Sequence, residues 1–223
     1  MCPPSLSVPP PATVLAPLLA TLLATLLPCA PAGAADSVRS LPSFIAINSK
    51  GPISITVTVG QPQSVTVSGS DAFVAQLRTE VVQNELNLTL PEQHNAHVAS
   101  GAPHVTITMP SLSRLKVEGA GETIVNRVAG ERLDISYLGA GHLVANGKVK
   151  LLRLAAKGVG EVDTHALQAE RVDVNFKGVG AVSVYAHDTL NAIAHGMGSL
   201  SYYGHPRVIN KSVQGLGSVS AGD

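Results

Sequence analysis

The sequence predicts an all-β fold: a parallel β-helix, or solenoid, of about six short rungs behind a β-rich N-terminal lead-in region. Three observations predict it. A Gly-x-Gly triplet returns six times, starting at Gly119, Gly139, Gly158, Gly178, Gly196 and Gly215, with gaps of 20, 19, 20, 18 and 19 residues. Apolar and polar residues alternate on both sides of each triplet, which is the period of a half-buried strand. Aromatics make up 3 % and charged residues 13 % of the chain, while Val, Thr, Ser, Ala and Gly are prominent; that balance favours short strands over long helices.

Residues 1–35 read as a signal peptide. Val14 to Leu27 is apolar, and small residues from Ala30 to Ala35 supply a cleavage site. The run is short for a membrane span, so none is expected after cleavage. The segment has no Lys or Arg, a departure from the usual basic start. Export to the periplasm or cell surface follows. Both cysteines, Cys2 and Cys29, lie in this segment, so the mature chain lacks thiols, disulfides and thiolate metal sites. Leu26-Leu27-Pro28-Cys29 has the outline of a lipobox, but Pro28 stands where a small non-proline residue is needed, which argues against a lipid anchor at Cys29.

Residues 36–223 are then read as a single domain, 36–110 as lead-in strands and 111–223 as rungs. After a linker to about Pro42, strands are predicted over Phe44–Ile47, Ile53–Val59 and Ser64–Ser68, separated by Asn48 to Pro52 and by Gly60-Gln61-Pro62. Asp71 to Leu77 is a two-turn helix that Asp71 could cap. Val81-Val82 and Leu86–Leu90 form a hairpin through Gln83-Asn84. A polar loop from Pro91 to Pro103 precedes the strand Val105–Met109.

Counted from each first glycine, positions minus six, minus four and minus two are mostly apolar, as in Leu133/Ile135/Tyr137 and Val172/Val174/Phe176. Positions plus four and plus six are apolar or Thr in most rungs, as in Leu143/Ala145 and Val182/Val184. Alternate side chains of a strand share a face, so these rows point inward. One rung cannot bury its own stripe; stacked rungs can. The middle residues of the triplets, Ala120, Ala140, Val159, Val179, Met197 and Leu216, are all apolar and are expected to enter the core at the corner.

A Gly-x-Gly can also cradle phosphate, but that use needs a third glycine, a following helix and a downstream acid. Strand-like alternation follows these triplets, so corner geometry is the better reading. At minus five, Arg114, Asp134, Arg153 and Asp173 alternate in charge, followed by Asn191 and Asn210, which predicts a ladder of opposite charges on adjacent rungs.

Fifteen basic and fifteen acidic residues cancel, and no basic run exists, which argues against nucleic acid as a partner. Glu122, His142 and Glu161 fall at plus three of successive rungs and form the one candidate metal column. His94, His97 and His104 are a second histidine group, read as part of a polar loop. The remaining acids are scattered. Glu161 and Asp163, two residues apart on a strand, share a solvent face, whereas glycan cleavage needs clustered carboxylates in a groove. No catalytic residue and no cofactor is predicted.

Phe44 in an early strand, Ile53-x-Ile-x-Val, Val65-x-Val-x-Gly, Leu86-x-Leu and the repeated Gly-x-Gly rungs together resemble one bacterial family. It is the "putative auto-transporter adhesin, head GIN domain" family, formerly a domain of unknown function. The resemblance covers Phe44 to Asp223 and implies a β-helix-like, exported domain without an accepted catalytic set. Lys211 departs from it, a charge where an apolar core residue is expected. The expectation is an exported, non-enzymatic cell-envelope protein that binds a surface protein or glycan. The alternatives are a carbohydrate-active enzyme and a small-ligand or metal-binding periplasmic domain. With no capping segment after the last rung, weak end-to-end self-association is expected.

Overall fold

The structure is a computed structural model that describes residues 35–91 and 103–222. The expected signal peptide, Cys2, Cys29, His94 and His97 lie outside the described residues.

Ten strands and one short helix are seen among the described residues. The strands are β1 (Ala35–Arg39), β2 (Ala46–Lys50), β3 (Ser54–Val59), β4 (Ser64–Gly69), β5 (Arg78–Val82), β6 (Glu85–Thr89), β7 (His104–Met109), β8 (Arg114–Tyr203), β9 (Val208–Gly215) and β10 (Ser218–Ala221). The helix α1 (Asp71–Gln76) sits between β4 and β5. β8 is a continuous run of 90 residues that bends at its glycines.

The fold is all-β, but the parallel β-helix solenoid of about six rungs with a separate lead-in region is not what forms. All ten strands belong to one mixed sheet, ordered β1-β4-β7-β3-β8-β2-β6-β5 with β9 and β10 also on β8, and that sheet wraps into a nearly closed barrel. The pairs β1–β4, β4–β7 and β5–β6 are antiparallel. The physical reason lies in what a repeat can report. The glycine spacing describes residues 115–223 alone. Strands that lack the repeat take the pairing positions beside it: Ile47 of β2 lies opposite Leu115, and Val57 of β3 lies opposite Val125. Local stacking of successive passes of β8 does occur: from Gly139 on, the triplet glycines lie over those about nineteen residues earlier, as Gly158 over Gly139, while Gly119 lies over Gly51.

The lead-in elements follow their local chemistry. β2 starts two residues later than the predicted strand and runs through Asn48 and Ser49 to Lys50, because Asn48 finds a side-chain partner in Asn87 at 3.0 Å. The hairpin β5–β6 turns at Gln83 and Asn84, both with positive φ (51° and 61°), as a two-residue turn of twisted strands requires. α1 is capped by Ser70 rather than Asp71: the Ser70 hydroxyl accepts from the Phe73 amide at 3.3 Å. β1, read from the sequence as linker, is fixed by polar bonds. Ser68 Oγ donates to Asp36 Oδ1 at 2.6 Å, and Arg39 Nη2 donates to the Val74 carbonyl at 2.6 Å.

The inward rows are as the alternation predicts over most of β8. Leu115, Ile135, Leu154, Val174 and Ala192 are buried at minus four, and Thr123, Leu143, Val162, Val182 and Leu200 at plus four. A further inward set, Val128, Val149, Leu167, Ala169 and Ala186, completes the wall. Each fully buried aliphatic side chain contributes about 1.5–3 kcal/mol, so these rows hold the passes together far more firmly than any surface pair.

Candidate functional site

Three surface features of β8 and the segment after it are candidates: one at the Gly-x-Gly bends, two from the stacking of successive passes. At each Gly-x-Gly the backbone of one pass lies against the pass before it. A Cβ on Gly178 would come within 2.0 Å of the Gly158 carbonyl oxygen, so no side chain can grow there. The glycines serve close approach, and their backbone is occupied by its neighbours, which fits corner geometry.

The first feature is an apolar ridge. The middle residues of the triplets do not enter the core. Val159 is 59 % exposed, Val179 42 %, Met197 53 % and Leu216 84 %, and Ala120 and Ala140 are exposed with them. Once the two flanking glycines press against the neighbouring pass, the residue between them is left on the outside of the bend. Beside this ridge, one residue before the triplets, stand the exposed Lys157 and Lys177 and the half-buried His195.

The second feature is the polar ladder. The predicted alternation is realised once: Arg153 Nε lies 3.6 Å from Asp173 Oδ2. The ladder then continues through amides, with Asn191 Nδ2 donating to Asp173 Oδ1 at 2.7 Å and Asn210 Nδ2 to Asn191 Oδ1 at 2.9 Å. Arg114 and Asp134 do not pair. Arg114 turns to Glu85 of β6 at 3.4 Å, and Asp134 is held by both forks of Arg132 at 2.8 and 2.7 Å. That bidentate bond raises the Arg132 guanidinium above its ordinary range. A groove of about 590 Å³ runs beside the ladder, with Arg132, Arg153 and Asp173 on its wall and Ser136, Ala155 and Ile193 among its lining.

The third feature is the predicted metal column. The structure brings two of its three residues together: His142 Nδ1 lies 3.5 Å from Glu161 Oε2. Glu122 lies one pass further back, and among the described residues no three His, Cys, Asp or Glu side chains are placed to hold a metal ion. His104 opens β7, paired with Ser54 and Ser68. Asp163 does not act with Glu161. It accepts from the backbone amide of His165 at 3.1 Å and lies 2.6 Å from His165 Nδ1, while the His165 ring stands 5.8 Å from that of Tyr203. Sequence reasoning missed this cluster; the Asp163-x-His165 spacing, which puts both on one strand face, is the signal that could have found it.

Two buried hydroxyls, Tyr137 Oη and Thr123 Oγ1, have no partner among the described residues, and burial pushes the Tyr137 phenol above its usual range. At the surface, Glu118 is held below the usual carboxylate range by hydrogen bonding to Lys116, and Lys150 is raised by its hydrogen bond to Glu131 at 2.8 Å.

Comparison with known protein families matches residues 43–206 to "Putative auto-transporter adhesin, head GIN domain". The chain belongs to that family. Among solved structures, a putative adhesin from Bacteroides fragilis NCTC 9343 is similar at 22 % identity and a TM-score of 0.69, over 84 % of this chain and 96 % of that one. A putative adhesin from Parabacteroides distasonis ATCC 8503 is similar at 16 % identity and a TM-score of 0.52, over 86 % and 98 %. These likenesses show that the fold is shared over most of this chain. A comparison with curated proteins found no match. No helix among the described residues is long and apolar enough to cross a membrane.

Proposed function

We propose that this head GIN protein is an exported cell-envelope protein that works without catalysis, as an adhesion or interaction module. The corner ridge is its contact face. The observation that carries this reading is the row Val159, Val179, Met197 and Leu216, exposed at successive bends where the fold has no structural need for large apolar side chains. Contiguous exposed apolar surface of this kind marks protein contact sites. Lys157 and Lys177 run beside the ridge, so the partner it fits is a protein surface with an apolar strip and an acidic margin. Family membership supports the adhesive role and export.

The test is binding of the purified protein to intact bacterial cells, compared with Val179→Asp and Met197→Asp variants. Wild-type binding that falls at least about tenfold in both variants, with unchanged thermal unfolding, supports the ridge. Equal binding by wild type and variants would remove the ridge as the contact face. Release of reducing sugars from glycan or peptidoglycan by the wild type would overturn the non-catalytic reading.

A further inference from the structure

We propose that β9 is a docking edge for an extended strand of another polypeptide, one carrying an acidic residue with apolar residues two positions before and after it. This goes beyond the ridge and does not depend on it.

The edges of the sheet are unlike. At one end of the strand order, antiparallel β1 and β4 and the helix α1 close over the core, with Phe73 and Leu77 buried there, and at the other end β5 is the antiparallel partner of β6. β9 lies off that path and pairs in parallel with β8 alone, Leu190 opposite Ile209, Ala192 opposite Lys211 and Ala194 opposite Val213. No described strand pairs with its outer edge. The inward row therefore changes state between one strand and the next. Leu190 and Ala194 are 0 % and 5 % exposed, while their successors Ile209 and Val213 are each 39 % exposed. An edge with free amides, free carbonyls and half-covered apolar side chains is the surface on which strand addition works.

Lys211 sets the chemistry of what fits. It occupies the row that is apolar and buried from Leu115 to Ala192, and its Nζ reaches back to the Val219 carbonyl of β10 at 3.4 Å. An ammonium has three donors, so two remain for an incoming carboxylate. A strand laid on β9 in register would place apolar residues against Ile209 and Val213 and its acid against Lys211. The pattern reads the same in both directions, so parallel and antiparallel docking both satisfy it. A second copy of β9 does not: facing Ile209 with Val213 sets Lys211 against Lys211, and like charges directly opposite are unfavourable.

The test uses the full chain and a labelled seven-residue peptide of threonines with valine, aspartate and valine at its second, fourth and sixth positions. The control peptide has lysine at the fourth. Wild-type protein binds the aspartate peptide at least about fivefold tighter by fluorescence anisotropy, and Lys211→Glu reverses the order. Binding also slows hydrogen exchange at the amides of Ile209 to Gly215. The proposal falls if neither peptide binds at millimolar concentration, if Lys211→Glu leaves the order unchanged, or if protection appears elsewhere. It also falls if β9 amides become protected with protein concentration alone, since a second copy then fills the edge. Val179→Asp lies two passes from β9, so the two readings fail separately.

Discussion

The carbonyl oxygen of Gly139 occupies the space where a side chain on Gly158 would begin: a Cβ built there lies 2.1 Å from it. Gly158 also has φ +124°, a conformation that L side chains rarely adopt. Gly158→Ala therefore carries two penalties, about 1–3 kcal/mol of backbone strain and the cost of pushing one pass off the next. We expect a loss of about 3 kcal/mol or more in urea unfolding. Gly60, at φ +82° with nothing within 4 Å of its Cβ position, carries the strain alone, and Gly60→Ala should cost about 1 kcal/mol. Equal losses would mean that the packed passes give way easily, against the view that close approach selects glycine at the bends.

The ridge and the core make opposite predictions for apolar side chains of similar size. Met197→Ser should change stability by less than about 0.5 kcal/mol, because the side chain is mostly in water. Leu154→Ala empties a buried site and should cost about 2–5 kcal/mol. Thermal unfolding of the two variants side by side decides this. A large loss for Met197→Ser would mean that the ridge packs against the body of the protein and is unavailable to a partner.

How much of this was legible in the sequence depends on the range of each signal. Alternation is local, so Ile55, Val57, Val65 and Val67 fall in predicted strands, and all four are buried. Gln83-Asn84 marked a turn for the same reason. Ala35–Arg39 carried no such pattern, and it becomes a strand only because β4 and the Val74 carbonyl supply its partners. The architecture failed at the longest range. Beyond the β5–β6 hairpin, nothing in residues 35–109 announces that β1–β4 and β4–β7 pair antiparallel, that β2–β6 and β3–β7 pair parallel, or that β2 and β3 join the sheet of β8. The ridge failed for a different cause. Val179 and Met197 are apolar, and composition alone sends an apolar residue inward; only the contact of the flanking glycines with the previous pass shows that inward is already taken. At the candidate site, the Arg153–Asp173 step was legible because both residues belong to the repeat, while Arg114 found Glu85, outside it.

Glu118 links the first pass to pH. Its carboxylate is lowered by the Lys116 hydrogen bond, helped by Lys50 at 3.7 Å. A carboxylate whose folded pKa lies below its unfolded one binds fewer protons when folded, so it adds stability above the unfolded pKa and loses it as pH falls through the folded one. Glu118→Gln should melt below the wild type at pH 7, and the gap should close on acidification. Because the pair is at the surface, the gap at pH 7 should also shrink in 1 M salt. A gap that persists at low pH would point to lost packing instead of lost charge.

The amide part of the ladder offers the converse test. Asn191 donates to Asp173 and accepts from Asn210, so it bridges two neighbours whose side chains would otherwise meet water. Asn191→Asp keeps the shape and reverses one end: two carboxylates now stand within hydrogen-bond reach. The two charges repel in the folded state, and protonating either one removes the repulsion. The variant is therefore penalised where both carboxylates are charged and relieved on acidification. At neutral pH the loss should be about 1 kcal/mol, since the half-exposed pair is screened by solvent. Thermal unfolding between pH 4 and 8 should show the deficit of Asn191→Asp growing with pH, here because a repelling charge is gained, whereas the Glu118→Gln deficit grows with pH because a stabilised charge is lost. A deficit flat across that range would mean that Asp173 and residue 191 do not sense each other, and the ladder would then be a crowded surface without electrostatic coupling between passes.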